Sequence, residues 1–302
     1  IVQPQNGKKM EKLIITVACD SNTSYPANPY CPPQEDIQTC AQHYIDAVNA
    51  GAAIAHIHGR RTLEDSIQAD GKMVSIIHHD DWKRLQDSIM SKVDPIMQFG
   101  VASARIPDKI KLMGLGPDMM AVAFNVHDEY FQNNGPAYPP KRMMALHPVE
   151  ELLDYCKAAE EHNVKLEVEC FQTGAFWNLD FVRKHGYLKK AYTTLFIGWP
   201  GGTWTPPTER ALQYMVDNLP ENCVWNVSVM NPEKHWSILA MAVALGGHVR
   251  VGYEDNPYIA PGEFAKNNAI LVERMVRIAR DLGREIATPD EARVILGLQR
   301  PQ

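Results

Sequence analysis

The sequence alternates eight short apolar, β-branched segments with eight longer segments of helical periodicity, and this alternation limits the possible folds to a few. The apolar segments are Leu13–Cys19, Ala53–His58, Pro95–Phe99, Met119–Phe124, Lys165–Cys170, Thr193–Gly198, Val224–Val229 and His248–Val251. The helical segments that follow them are Gln34–Ala50, Asp80–Val93, Pro107–Leu115, Pro148–Asn163, Trp177–Lys184, Thr208–Leu219, Lys234–Leu245 and Glu263–Leu282.

Buried strands that alternate with helices form parallel sheets, and eight such units in about 280 residues fit a closed barrel. The prediction is therefore an α/β fold, a single-domain (β/α)8 TIM barrel. An open doubly wound sheet is the alternative, but no G-x-G-x-x-G follows the first predicted strand. Long segments after predicted strands one, two and four place the expected site at the carboxyl ends of the strands, where barrel enzymes build their active sites.

Composition excludes several classes of partner. The chain has 30 Lys and Arg residues against 36 Asp and Glu residues, which gives a net charge of −6. It therefore lacks the excess of basic residues that is typical of proteins that bind nucleic acids or membrane surfaces. No apolar run approaches the roughly 20 residues that span a bilayer. Six cysteines without a C-x-x-C pair are typical of reduced thiols, so a cytoplasmic location is expected. Without a linker or low-complexity tract, residues 11–302 are expected to form one catalytic domain after a leader or expression-derived segment at 1–10.

Two histidines, His56 and His58, end the second predicted strand. Residues i and i+2 of a strand point to the same face, so both imidazoles project together. At the active end of a barrel such a pair is half of a site for Zn²⁺ or a similar divalent ion. An isolated H-x-H pair is more often structural, and that alternative stays open.

Two carboxylates, Glu254 and Asp255, follow the last predicted strand, and Arg250 precedes them within it. Glu254 is placed to complete a metal site of two histidines and one carboxylate, leaving one position for substrate or water. Arg250 is a candidate for holding a substrate carboxylate or for orienting an acid/base carboxylate. The alternatives are an exposed acidic turn for the pair and a plain salt bridge for the arginine.

A second pair of carboxylates, Glu167 and Glu169, lies in the fifth predicted strand. Two acids on one face of a buried strand are costly unless they are paired or bind a metal. Glu169 is nearer the carboxyl end and is the better candidate for a general base, whereas Glu167 is expected to be structural.

Two weaker signals lie in the predicted loops. Gly201 and Gly202 follow strand six, where glycine lets backbone amides approach a phosphate or carboxylate of a cofactor, although P-G-G is also an ordinary turn. His127, after strand four, is a further candidate. Aromatic residues in the long loops favour a substrate bulkier or less charged than an amino keto acid; they are Tyr25, Tyr30, Tyr130, Tyr138 and Trp199.

Together these segments resemble the β-keto acid cleavage enzymes from about Glu11 to Leu298. The resemblance rests on H-I-H in strand two, E-V-E in strand five, W-P-G-G-T after strand six, G-G-H-V-R-V-G-Y-E-D-N at strand eight and the closing A-T-P-D-E-A-R-V-I-L-G-L. It implies a zinc-dependent barrel, usually a homotetramer, that converts a β-keto acid and acetyl-CoA into acetoacetate and a new acyl-CoA.

The resemblance also implies roles for individual residues. His56, His58 and Glu254 would bind zinc. The acid/base set would be Glu169, Arg250 and Asp255, with the arginine keeping the aspartate ionised and oriented.

The sequence departs from the family's pattern in the groups that recognise substrate. No glutamate stands near Thr23, and Gly100–Ser103 replaces a Ser/Thr-rich turn. Ala121 or Ala123 replaces a threonine, and Met230–Glu233 replaces a glycine-rich loop. Loss of several polar partners is expected to abolish binding of the usual substrate.

Because of these departures, a CoA-independent zinc lyase or retro-aldol enzyme remains an alternative, as does a metal hydrolase. A non-catalytic binding barrel is disfavoured, because a binding protein has no need of an acid/base set.

Overall fold

The computed structural model describes residues 10–22, 24–25, 27–63, 75–101, 104, 106–131, 141–145, 148–199 and 204–298. Eight parallel strands form a closed barrel in which each strand pairs with its neighbours in chain order and the first pairs with the last. The strands are β1 Ile15–Ala18, β2 Ile54–Ile57, β3 Ile96–Gly100, β4 Met119–Ala123, β5 Lys165–Cys170, β6 Ala191–Ile197, β7 Cys223–Val229 and β8 His248–Val251. This confirms the predicted (β/α)8 barrel.

A helix follows each strand. These helices are α1 Ile37–Asn49, α2 His79–Met90, α3 Ile106–Met113, α4 Val149–Glu161, α5 Ala175–Lys184, α6 Glu209–Asp217, α7 His235–Ala244 and α8 Asn268–Asp281. Their apolar faces pack on the outside of the barrel, and large side chains such as Trp82 and Tyr155 are almost completely buried there. None of the described helices is both long and apolar enough to cross a bilayer.

The last barrel helix begins later than the sequence pattern predicts. Glu263–Phe264 pairs with Tyr258–Ala260 in a short antiparallel hairpin, so these residues cannot also be helical. The helix starts only after Asn267, whose side-chain oxygen accepts a hydrogen bond from the backbone N–H of Ile270. Asparagine is a strong N-cap, and this local contact fixes the boundary.

A ninth helix, α9 Pro289–Leu296, closes the amino-terminal end of the barrel. Thr288 and Glu291 form a capping box at its start, and Gly297 ends it with φ 68°. Leu296 packs against residues at the amino ends of the strands, including Ile54 and Ile96. Because this end is filled with apolar side chains, the opposite end is the one available for a functional site.

Two further hairpins lie within the long βα connections. Arg61–Leu63 pairs with Ser75–Ile77 after β2, and His127–Phe131 pairs with Lys141–Ala145 after β4. Both stand where the sequence places long active-site loops. The leader expected at 1–10 lies outside the described residues except for Met10.

Candidate metal and active site

Strand β2 places the two predicted histidines side by side. His56 lies within the strand and His58 immediately follows it, and their ring centroids are 4.9 Å apart. His56 is almost completely buried, with 1% of its surface exposed. The alternation of the strand therefore brings both imidazoles to one place at the carboxyl end of the barrel.

The neighbouring strand β3 fixes the ring of His56. Gln98 is its register partner, and Nδ1 of the imidazole lies 2.8 Å from Oε1 of the glutamine. Because this oxygen can only accept, Nδ1 carries the proton and Nε2 keeps its electron pair. A Cβ atom at Gly100 would come within 2.3 Å of Cε1 of His56, so the imidazole occupies space that only glycine leaves open.

A sharp turn after β8 brings Glu254 to the histidines. Gly252 has φ 131°, and a Cβ atom there would lie 2.2 Å from the carbonyl oxygen of Ala18. Two residues after this glycine, Oε2 of Glu254 lies 3.0 Å from Nε2 of His58 and 3.8 Å from Nε2 of His56. The three ligand atoms lie within 4.8 Å of one another.

This donor set fits a divalent metal. Zinc bonds of about 2.0–2.1 Å in a tetrahedron separate neighbouring ligand atoms by roughly 3.3 Å, between the two distances that join Glu254 to the histidines. Burial, with the charge of Arg250, keeps the pKa of His56 well below its ordinary value. Burial alone would raise the pKa of Glu254, but Arg250 and His58 outweigh it and hold that pKa well below the ordinary value. A neutral imidazole and an ionised carboxylate are the forms that bind metals.

Arg250 connects the metal ligand to a second carboxylate. Its Nη2 lies 2.8 Å from Oε1 of Glu254 and 2.8 Å from Oδ1 of Asp255, and its Nε donates to Oδ2 of Asp255 over 3.1 Å. Arg250 and Asp255 are completely enclosed. Of the two tasks that the sequence leaves open for Arg250, the structure shows contacts with carboxylates of the chain itself.

Burial raises the pKa of Asp255 to about 6, although the charge of Arg250 acts in the opposite direction. Asp255 is therefore largely ionised at neutral pH and titrates close to it. A carboxylate with this pKa, held in one orientation by a guanidinium, is suited to exchange protons with a substrate.

The two glutamates of β5, Glu167 and Glu169, are both buried. Glu167 accepts a hydrogen bond from the hydroxyl of Thr194 on β6, which agrees with a structural role. Burial and the neighbouring Glu167 raise the pKa of Glu169 to about 8, against the opposing charges of Arg250 and Lys109. Glu169 therefore differs from Asp255 in carrying its proton at neutral pH.

Two residues at this site are not predicted from the sequence. Gln98 is the only residue with a side-chain amide in the apolar segment Pro95–Phe99. Because a polar side chain in a buried strand needs a partner, this feature could have marked Gln98 as a candidate. Lys109 on α3 is completely buried, with its amine 5.1 Å from the ring centroid of Tyr155. A lysine on an amphipathic helix usually faces solvent, so the sequence carries no signal for it.

Several residues singled out in the sequence lie wholly or partly outside the described part of the chain. Gly201, Gly202 and Thr23 fall outside the described residues, as does the side chain of His127. Met230, at the position where the family pattern has a glycine-rich loop, is buried in a cluster of aromatic side chains.

Comparisons with known proteins show which family the chain resembles. A family profile described as beta-keto acid cleavage enzyme matches residues 12–298. A 3-keto-5-aminohexanoate cleavage enzyme from Fusobacterium nucleatum is 32% identical over 300 residues, covering 96% of this chain and 100% of the relative. A 3-dehydrocarnitine:acetyl-CoA trimethylamine transferase from Rhizobium meliloti is 34% identical over 139 residues, 45% of each chain.

Among solved structures, a ternary complex of ObcA with C4-CoA adduct and oxalate superposes with a TM-score of 0.66 at 16% identity. The match covers 89% of this chain and 68% of ObcA. At this identity the likeness concerns the fold alone.

Proposed function

The chain belongs to the beta-keto acid cleavage enzyme family, and we propose that it converts a β-keto acid and acetyl-CoA into acetoacetate and a new acyl-CoA. The observation that carries this proposal is the group of His56, His58 and Glu254, with ligand atoms within 4.8 Å of one another, beside the buried pair of Arg250 and Asp255. The name of the Rhizobium meliloti relative, a 3-dehydrocarnitine:acetyl-CoA trimethylamine transferase, supports an acetyl-CoA-dependent transfer.

We assign Zn²⁺ to the His56, His58 and Glu254 site, because two imidazoles and one carboxylate are a common catalytic zinc set. The ion would supply Lewis acidity toward the keto oxygen of the substrate. The chain's own contribution is to hold the three ligands, with Gln98 and Gly100 fixing the ring of His56 and Arg250 fixing Glu254.

Asp255 makes the proton transfers, and Glu169 has a separate role. Asp255, ionised above about pH 6, removes a proton from the carbon between the keto and carboxylate groups, and Arg250 keeps it oriented. That carbon then attacks the thioester carbonyl of acetyl-CoA. This attack releases the CoA thiolate, which then adds to the original keto carbon and breaks the bond between that carbon and the attacking carbon. The products are the new acyl-CoA and acetoacetate, which receives the proton back from Asp255.

Glu169 is protonated below about pH 8, so it donates a hydrogen bond to developing negative charge rather than accepting a proton. This assignment differs from the general base that the sequence favours for Glu169. Carboxylates whose pKa values are pushed apart commonly take opposite roles. A homotetramer and a cytoplasmic location remain proposals from the family resemblance and the cysteine pattern.

A CoA-independent lyase is the second candidate. Met230 is buried among aromatic rings, and the glycine-rich loop that the family pattern places beside the thioester is absent from this part of the sequence. The same metal ligands and Asp255 would serve either reaction.

The test is an assay of metal-loaded protein with β-keto acids, with and without acetyl-CoA, that measures acetoacetate. Acetoacetate formed only with acetyl-CoA supports the acyl transfer, and zinc content near one equivalent per chain supports the metal. Cleavage that proceeds equally well without acetyl-CoA overturns the transfer in favour of the lyase.

A further inference from the structure

One side of the barrel mouth is formed by aromatic side chains, which we call the aromatic wall. It consists of Tyr25, Phe171, Phe196, Trp199, Trp204, Met230 and Tyr258. These residues follow or end strands β1, β5, β6, β7 and β8, so the barrel gathers them from separate parts of the chain.

The rings of the wall contact one another directly. Trp199 and Trp204 are stacked, with centroids 5.2 Å apart and planes 15° from parallel. Phe171 lies 4.1 Å from Trp204 and 5.0 Å from Phe196, measured between centroids. The wall is therefore one packed apolar cluster, in which Phe171 and Phe196 are buried.

The wall adjoins the acid/base pair. The guanidinium of Arg250 lies 5.2 Å from the ring centroid of Phe196. Tyr25 donates its hydroxyl to the backbone carbonyl of Asp255 over 3.1 Å. Trp199 donates its indole N–H to the hydroxyl of Ser228 over 3.2 Å. Because the polar atoms of Tyr25 and Trp199 already have protein partners, these two residues offer a substrate mainly their rings.

Two carboxylates next to the wall share one guanidinium. Glu254 and Asp255 are both ion-paired with Arg250. A substrate cation placed here would lie beside the guanidinium of Arg250, which already lies over the ring of Phe196. A substrate anion would meet aromatic faces that donate no hydrogen bond to it.

We propose that the aromatic wall is the subsite for an uncharged, apolar substituent on the keto side of the β-keto acid, either an alkyl chain or an aryl group. This inference rests on the proposed function and narrows its substrate. With the keto group at His56, His58 and Glu254, the substituent beyond it extends toward the wall, where burial of each added methylene favours binding.

The experiment compares matched six-carbon acids. The substrates are 3-oxohexanoate, with a terminal methyl group, 3-oxoadipate, with a carboxylate, and 3-keto-5-aminohexanoate, with an ammonium group. We expect kcat/KM for 3-oxohexanoate to exceed the other two by at least about 100-fold, because a buried charge without partners is rejected strongly. Lengthening from 3-oxopentanoate to 3-oxooctanoate should raise kcat/KM further.

A wall variant links this preference to the residues. Trp204→Ala should lower kcat/KM for 3-oxooctanoate about tenfold and leave the KM for acetyl-CoA unchanged. Trp204→Phe should keep most of the activity. Trp177→Ala is the matched control, because Trp177 on α5 is 81% exposed.

A preference for either charged acid, or for the quaternary ammonium substrate 3-dehydrocarnitine, would overturn the apolar subsite while leaving the acyl transfer intact. A raised KM for acetyl-CoA in Trp204→Ala would instead assign the wall to the thioester. Absence of acetoacetate with every acid would refute the proposed function itself, and the subsite with it.

Discussion

The two sides of the barrel mouth are held together by different forces. On the metal side, which comprises His56, His58, Gln98, Arg250 and Glu254, polar atoms contact each other over 2.8–3.8 Å. On the aromatic wall, ring centroids are 4.1–6.2 Å apart and packing replaces directional bonds. Loss of one polar atom leaves a buried partner unsatisfied, whereas rings can be exchanged for other apolar side chains. The metal side is therefore the part that tolerates least change.

The largest effect should come from removing a ligand. His56→Ala deletes one of three donors, so the variant should lose its metal and at least about 1000-fold of its activity. Metal content by mass spectrometry and acetoacetate formation measure both losses. His162→Ala, at an exposed position after α4, is the control. Retention of a full metal equivalent by His56→Ala would refute the ligand assignment.

The second prediction separates metal binding from proton transfer within the same side. Asp255→Asn keeps the shape of the side chain but cannot take up a proton, so activity should fall about 100- to 1000-fold while zinc is retained. Loss of the charge also weakens the buried contact with Arg250, so circular dichroism must show a folded protein. Unchanged turnover would remove Asp255 from the mechanism.

These two residues illustrate what sequence reasoning can find. The barrel can be predicted from the periodicity of the sequence, because each strand and helix has a local pattern of apolar residues. The observed elements match the predicted segments to within a few residues. His56 and His58 are visible because i and i+2 of a strand share a face. Glu254 and Asp255 are visible as carboxylates at the end of the last strand.

The rest depends on contacts between distant segments. The role of Gln98 follows from the register of β3 against β2, which pairs it with His56, and no local pattern specifies that register. The same holds for Lys109, which is buried because α3 packs against Tyr155 on α4. The late start of α8 depends on a hairpin and on the cap at Asn267, which outweigh the helical periodicity predicted from Glu263 onward.

The third prediction tests whether this distant contact supports the metal. Gln98→Leu removes the acceptor of the Nδ1 proton of His56, which should weaken zinc affinity about 10- to 100-fold. Activity should recover when excess zinc is added. Competition with a chromogenic chelator measures the affinity.

Gln86→Leu is the matched control for Gln98→Leu. Gln86 is also buried, and its amide donates to the backbone carbonyl of Gly116 over 3.2 Å, outside the metal site. The Gln86→Leu variant should be less stable than the parent protein but should bind zinc with the same affinity. Equal zinc affinity in both variants would show that Gln98 has no part in positioning His56.

The last prediction concerns stability rather than turnover, and it lies at Glu169 on β5. Burial and Glu167 raise its pKa from 4.5 to about 8, so the folded protein holds a proton that the unfolded chain releases above about pH 4.5. Stability is therefore lost as the pH rises from about 4.5 to about 8 and changes no further from this group above that range. Glu169→Gln keeps a neutral side chain at every pH and escapes this loss.

The free energies of unfolding of Glu169→Gln and the parent protein should accordingly be similar at pH 4.5 and diverge as the pH rises. By pH 9 the variant should be more stable by up to about 5 kcal/mol. Urea denaturation of both proteins with the same zinc content measures the difference. If the difference stays constant between pH 4.5 and 9, Glu169 is ionised in the folded protein at neutral pH and cannot donate a hydrogen bond to the substrate.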